Sequence, residues 1–163
     1  MASEPYIYKE ADWVPQNAIG IANRSNVYTP IVYFESGGRL FTDERRFKSG
    51  QKNKTEYNKY KKEQQMAKVM ANAGYEVEHL AETPRTPTAD ARINGELVDF
   101  KRLSSTNNIR RHANYATKKQ GAKKVVFQFE EFNRNYRWEL QKLARKGVHG
   151  YYFITNETRV RTF

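Results

Sequence analysis

Apolar residues recur with two different periods along this chain, and each change of period marks an element. Tyr60, Ala67, Met70 and Ala71 fall at three- and four-residue spacing and Gly74 supplies a stop, which predicts a helix over roughly 58 to 73. Tyr75 to Leu80 then alternates as a strand. A loop punctuated by Pro84 and Pro87 leads into Ala89 to Leu103, with Asn94-Gly95 at its middle. Asn-Gly between alternating apolar residues is a strong signal for a two-residue hairpin. Further on, Asn107 to Gln120 reads as a basic helix and Lys123 to Phe129 as a buried strand built on Val125, Val126, Phe127 and Phe129. Tyr136 to Lys146 reads as a helix closed by Gly147, and Gly150 to Thr155 as a last strand that pairs with Thr158 to Thr162. The order helix, three strands, helix, strand, helix, strand predicts a mixed α/β layer arrangement.

Ahead of this region, residues 1–54 carry Pro5, Pro15, Pro30, Gly37, Gly38 and Gly50, with one apolar run at Ile31-Val32-Tyr33-Phe34. They read as a basic, loosely structured extension containing a strand or hairpin, followed by a domain over 55–163. From Arg45 to Lys62 Glu56 is the only acid among eight cations, a pattern that suits a phosphate-facing arm or a solvated linker.

The hairpin carries the first chemical signal. A two-residue turn at Asn94-Gly95 pairs Ile93 with Glu96, Arg92 with Leu97, Ala91 with Val98 and Asp90 with Asp99. Side chains alternate faces along a strand, so Asp90, Asp99 and Lys101 share one face while Ala91, Ile93, Val98 and Phe100 take the other. Like charges directly opposite one another destabilise a sheet, and a divalent cation gives them a reason. Mg²⁺ or Mn²⁺ takes hard oxygen ligands and is held by one or two carboxylates together with substrate phosphate. Lys101 on the same face would orient a nucleophile or offset charge on that phosphate. The competing reading is a surface hairpin whose aspartates pair with Arg92, Lys101 or Arg102.

Glu63 lies three residues after Tyr60 and four before Ala67, on the buried stripe of the preceding helix, where an unpaired carboxylate is costly. It joins Asp90 and Asp99 as a third metal-site candidate, unless a neighbour such as Lys59 pairs with it. Gln120 stands as a further candidate at the end of the basic helix, where a helix stop before Gly121 explains it as well. The block Lys101 to Lys124 contains no acid, and Arg102, Arg110, Arg111, Lys118 and Lys119 are its candidate nucleic-acid contacts.

Composition supports that direction. The 163 residues hold 29 Lys and Arg against 18 Asp and Glu, a formal charge of +11 that favours a polyanionic partner, with nucleic acid first. The absence of cysteine excludes disulfides, thiolate zinc sites and a cysteine nucleophile. No run of about 18 apolar residues exists, so no membrane span is expected. Met1 to Glu10 lacks the basic and apolar segments of a signal peptide.

Pro87-Thr88-Ala89-Asp90 followed by Asp99-Phe100-Lys101 resembles the signature of the PD-(D/E)xK nuclease superfamily. Together with Glu63, Ala67, Gly74, Val77, Leu80, Ser104, Ile109, Ala113, Gln120 and Val125, the ordered context from about Tyr57 to Phe163 resembles the C-terminal tRNA nuclease domain of contact-dependent growth inhibition toxins, which has phage-encoded counterparts. The resemblance implies an α+β, three-layer, restriction-endonuclease-like core around a central mixed sheet. It also implies metal-dependent phosphodiester cleavage with Asp90 and Asp99 as ligands, Lys101 as the catalytic lysine, and Glu63 and Gln120 in support. An acidic immunity protein, and action in the cytoplasm of a host or target cell, are further implications.

The leading expectation is thus a metal-dependent endonuclease acting on RNA, tRNA in particular. The same site acting on DNA, in phage or defence processing, is the alternative within enzymes. A non-catalytic nucleic-acid-binding protein on a nuclease fold is the rival class, and a metal-free ribonuclease built on His112 with Glu130 or Arg110 is a third possibility.

Overall fold

A computed structural model describes residues 27–82, 88–105 and 108–163. Its elements run β1 (Val27–Tyr33), β2 (Arg39–Asp43), α1 (Glu44–Gly50), α2 (Lys54–Asn72), β3 (Glu76–His79), β4 (Ala91–Ile93), β5 (Glu96–Leu103), α3 (Ile109–Lys118), β6 (Lys124–Phe129), α4 (Arg134–Arg145), β7 (His149–Ile154) and β8 (Arg161–Thr162). The eight strands form one sheet in chain order. β2 with β3, β5 with β6 and β6 with β7 are parallel, and the other neighbours are antiparallel. Parallel neighbours need crossovers, which α1 and α2, then α3, then α4 provide.

The sheet is covered on both faces, so the molecule has three layers. On one face Leu40, Val77, Ala91, Ile93, Val98, Phe100, Val126 and Phe153 pack under Met66, Ala67, Val69, Met70 and Ala71 of α2. On the other, Leu103, Val125, Phe127 and Phe129 pack under Ile109, Ala113 and Ala116 of α3 and Tyr136, Leu140 and Leu143 of α4. This double cover explains why Val125, Val126 and Phe127 of β6 are apolar at successive positions rather than alternating. The alanines of α2 and α3 let those helices sit close to the strands.

Local chemistry sets the element ends. Asn53 accepts a hydrogen bond from the Glu56 N–H at 2.9 Å and so starts α2 several residues ahead of the sequence expectation. Gly74, at φ +110°, ends the turn after it. Asn94 and Gly95 both have positive φ, 48° and 87°, as a type I′ hairpin turn requires. α3 ends at Lys118, so Gln120 stands beyond the helix rather than in its last turn.

Residues 27–50 build β1, β2 and α1, and β2 joins the central sheet by pairing in parallel with β3. A loosely structured extension over that stretch does not match this arrangement. Pro30 falls within β1, Gly37 and Gly38 lie in the turn between β1 and β2, and Leu40 of β2 packs with residues of α2 and of later strands. The earlier part of the extension, residues 1–26, lies outside the described residues.

Candidate active site

β4 and β5 pair in the register the turn dictates: Ile93 with Glu96, Arg92 with Leu97 and Ala91 with Val98. Asp90 directly precedes β4. Its backbone N–H donates to Val98 O at 3.1 Å and its Oδ2 accepts the Phe100 N–H at 2.8 Å, which fixes the carboxyl over β5. Asp99 lies in β5 between β4 and β6 and is 0% exposed. A surface hairpin paired through exposed cations is therefore not what forms here.

Lys101 places its Nζ 2.8 Å from Asp99 Oδ2. The same Nζ donates to Gln120 Oε1 at 3.3 Å, and Gln120 Nε2 donates to Thr88 O at 3.3 Å. Four of the five residues nominated for catalysis thus converge, with Gln120 tying the lysine to the chain just before Asp90. Neither oxygen of Asp99 makes a well-formed hydrogen bond despite full burial. Burial first, then the adjoining Asp99 carboxylate, pushes the Asp90 carboxyl up to about 9, with Glu63 adding and the Phe100 N–H opposing.

Glu63 reaches the same cleft from α2 but is otherwise engaged. Its Oε2 accepts from Arg46 at 3.0 Å and its Oε1 from the His79 ring at 3.1 Å. Burial works against ionisation of Glu63, yet the His79 N–H and the Arg46 cation hold it below the usual carboxylate range. Burial pushes the His79 ring down, against the pull of Glu63. Gln64 Nε2 donates to His79 Nδ1 at 2.6 Å and to Thr42 Oγ1 at 2.9 Å, which assigns the ring proton to Nε2, facing Glu63. Tyr60 stacks on the His79 ring at 5.6 Å. Among the described residues no three acidic or histidine side chains are grouped closely enough to hold one ion, and both Glu63 oxygens are taken up by Arg46 and His79. Asp90 and Asp99 are the pair that could hold a cation, and the buried Asp99 carboxylate, whose Oδ2 faces only the Lys101 ammonium and whose Oδ1 has no hydrogen-bond partner, fits such a role.

The cleft, of about 450 Å³, runs between Lys59, Lys62 and Glu63 on α2 and Lys101, Tyr115 and Gln120 on the other side. Arg102 lines it and pairs with Glu130, Nε to Oε1 at 3.3 Å. Lys59 pairs with Glu82, not with Glu63. Arg110, Arg111, Lys118 and Lys119 are exposed on α3. His112, also on α3, is pushed down by partial burial and by Lys101 and Arg111, and makes no hydrogen bond to Glu130 or Arg110.

Arg46 and His79 were not singled out in the sequence. Arg46 stands in the basic run taken for an arm or linker, yet it is 1% exposed. His79 shares the parity of buried Val77 in its strand, the signal that places it inward. Two further cations of that run are paired locally, Arg45 with Asp43 and Lys48 with Glu44, while Lys59 and Lys62 line the cleft.

A mixed eight-stranded sheet covered on both faces, with Asp90, Asp99 and Lys101 gathered at one place on it, defines an α+β domain of the three-layer kind. Residues 86–160 match the family model described as the contact-dependent growth inhibition CdiA C-terminal domain, a span under half of the chain that contains Asp90, Asp99, Lys101 and Gln120. Among solved structures, the chain is similar to one in the CdiA-CT/CdiI toxin and immunity complex from Burkholderia pseudomallei. That match has 18% identity, covers 68% of this chain and 88% of the other, and has a TM-score of 0.52, so the two share a fold. No curated protein matches the chain significantly. No helix of the described residues is long and apolar enough to cross a membrane.

Proposed function

We propose that this chain is a toxin-type nuclease of the PD-(D/E)xK kind, hydrolysing phosphodiester bonds in RNA, and in tRNA by preference, with a divalent cation at Asp90 and Asp99. The observation that carries the reading is the half-buried Asp90 and Lys101, which line a cleft edged by Lys59, Lys62 and Arg102, with the fully buried Asp99 paired to Lys101 behind them. The preference for RNA rests on the resemblance of the Asp90 to Lys101 stretch and its surroundings to tRNA nuclease domains.

The fit to a cation rests on two features. Asp99 is fully buried with its Oδ2 facing the Lys101 ammonium, and the Asp90 carboxyl beside it is pushed up to about 9, so it retains a proton near neutrality that a cation would displace. Mg²⁺ or Mn²⁺ held there would supply Lewis-acid stabilisation to the phosphoryl oxygens. The protein's own groups do the remainder. Phe100 N–H fixes the Asp90 carboxyl, Gln120 holds Lys101 Nζ toward Asp99, and that ammonium is placed to orient a water or to offset charge on the phosphate. Lys59, Lys62 and Arg102 hold the flanking backbone, and Arg110, Arg111, Lys118 and Lys119 extend the cationic surface along α3. The buried Arg46, Glu63 and His79 network fixes the α2 wall of the cleft. An acidic immunity protein is the matching partner, by charge complementarity and by the toxin and immunity pairing named for the similar structure.

The test is incubation with total tRNA and, separately, with plasmid DNA, in Mg²⁺ or Mn²⁺ and in EDTA, with Asp99→Ala as control. Metal-dependent cleavage of tRNA that the variant lacks is the expected result. Cleavage of plasmid alone would move the site to DNA, and binding without turnover by either protein would overturn the enzyme reading.

A further inference from the structure

Tyr115 belongs to α3 but lies off the stripe of Ile109, Ala113 and Ala116 that packs on the sheet. It is 46% exposed and lines the cleft. The other aromatic ring lining the cleft, Phe100, is buried in the core at 7% exposure. Single exposed aromatics are ordinary on protein surfaces. What distinguishes this one is its place, since Lys101 Nζ lies 5.6 Å from its ring centroid and 2.8 Å from Asp99 Oδ2. A flat π surface therefore stands within one nucleotide's reach of the carboxylate pair, and Lys59 and Lys62 across the cleft are placed to hold the phosphates.

A buried Tyr would be explained by packing, and an exposed one far from the cleft by chance. An exposed ring beside the reacting groups does what aromatic platforms do in single-strand binding, where a base stacks on the ring while cations track the backbone. A base paired in a duplex has its faces covered by its neighbours, so stacking on a side chain needs a nucleotide that is unpaired or turned out. The cleft volume of about 450 Å³ falls in the range of sites that enclose one small ligand unit.

We infer that Tyr115 is a specificity-determining residue that stacks on an unpaired base next to the scissile phosphate, so that the protein acts on single-stranded or loop nucleotides rather than on continuous duplex. This deepens the proposed nuclease reading and rests on it. Lys101 then has a second task, because its Nζ lies over one face of the ring as well as beside Asp99, and the base stacks on the opposite face.

The test uses short RNA single strands carrying 2-aminopurine at successive positions, bound in EDTA to the wild-type protein and to Tyr115→Ala and Tyr115→Phe. Fluorescence should be quenched at one or two positions by wild type and Tyr115→Phe, and not by Tyr115→Ala. In Mg²⁺, KM for cleavage of the same strands should rise about 5- to 100-fold in Tyr115→Ala and stay near wild type in Tyr115→Phe. An abasic nucleotide at the quenched position should cost wild type the same factor and cost Tyr115→Ala nothing further. Quenching that survives Tyr115→Ala, or RNA binding without quenching, as for a tyrosine reserved for a protein partner, would overturn the inference. If no protein cuts any strand, the nuclease reading fails while the fluorescence still decides whether Tyr115 stacks on a base.

Discussion

Asp90→Asn should make the cation-free protein more stable while removing its activity, and the size of the gain should depend on pH. In the folded chain, burial and the neighbouring Asp99 push the Asp90 carboxyl from 3.8 up to about 9. In the unfolded chain it ionises near its ordinary value. The folded form therefore binds the extra proton, its contribution is whole below about pH 4, and stability drains away as pH rises toward 9. Each pH unit within that window is worth at most about 1.4 kcal/mol, so moving from pH 7 to 8.5 should cost wild type on the order of 2 kcal/mol. Asn is nearly isosteric and does not titrate, so Asp90→Asn should be flat over the same interval. Equilibrium urea unfolding in EDTA reads this directly, because 2 kcal/mol corresponds to a midpoint shift of roughly 1 M for a small domain. Adding Mg²⁺ at pH 8.5 should restore the wild-type midpoint and leave that of the variant unmoved. A wild-type midpoint that holds or rises from pH 7 to 8.5 in EDTA would refute the account of the carboxylate pair.

Three other outcomes follow from neighbouring contacts. Arg46→Ala leaves Glu63 with only His79 in a buried site and should cost about 3 to 5 kcal/mol in urea unfolding, where an exposed pair would cost under about 1. His79 is held low by burial, so the folded chain resists protonation and stability should fall as pH drops below about 6.5; His79→Asn should remove that slope in a pH series of melting curves. Gln120→Ala frees Lys101 Nζ and should lower kcat by about 10-fold, the scale of one positioning hydrogen bond, with a melting temperature within a few degrees of wild type.

The hairpin was the most legible part of the molecule, because Asn94-Gly95 dictates a turn type and the strand period of two then fixes every partner out to Asp90 and Asp99. What could not be read there was depth. Asp99 is fully buried on a central strand, between β4 and β6 and on the sheet face that α3 and α4 cover, and that depth comes from tertiary packing that no local pattern encodes. Arg46 shows the opposite failure. Its neighbours in the chain are cations, so charge alone suggested solvent, and only the docking of α1 beside α2 reveals that Glu63 is its partner. Glu63 was correctly placed on the inner stripe of its helix. Its assignment to a metal site assumed it was unpaired, and the two residues that take up its oxygens arrive from α1 and β3. The strand or hairpin expected at Ile31 to Phe34 falls on the end of β1 and its turn into β2, but α1 and the pairing of β2 with β3 were hidden because short elements broken by proline and glycine carry too few periods to register.

The walls of the cleft come from segments far apart in the chain: α2 contributes Lys59 and Lys62, while the acids, Lys101, Tyr115 and Gln120 follow across two turns of the sheet. A partly formed chain thus carries the reactive groups without the channel that would seat a strand of nucleic acid against them. Activity at this site would require the long-range pairings of β2 with β3 and β5 with β6 to be closed. Phosphodiester cleavage by this protein would for that reason be a more sensitive gauge of complete folding than its helix content.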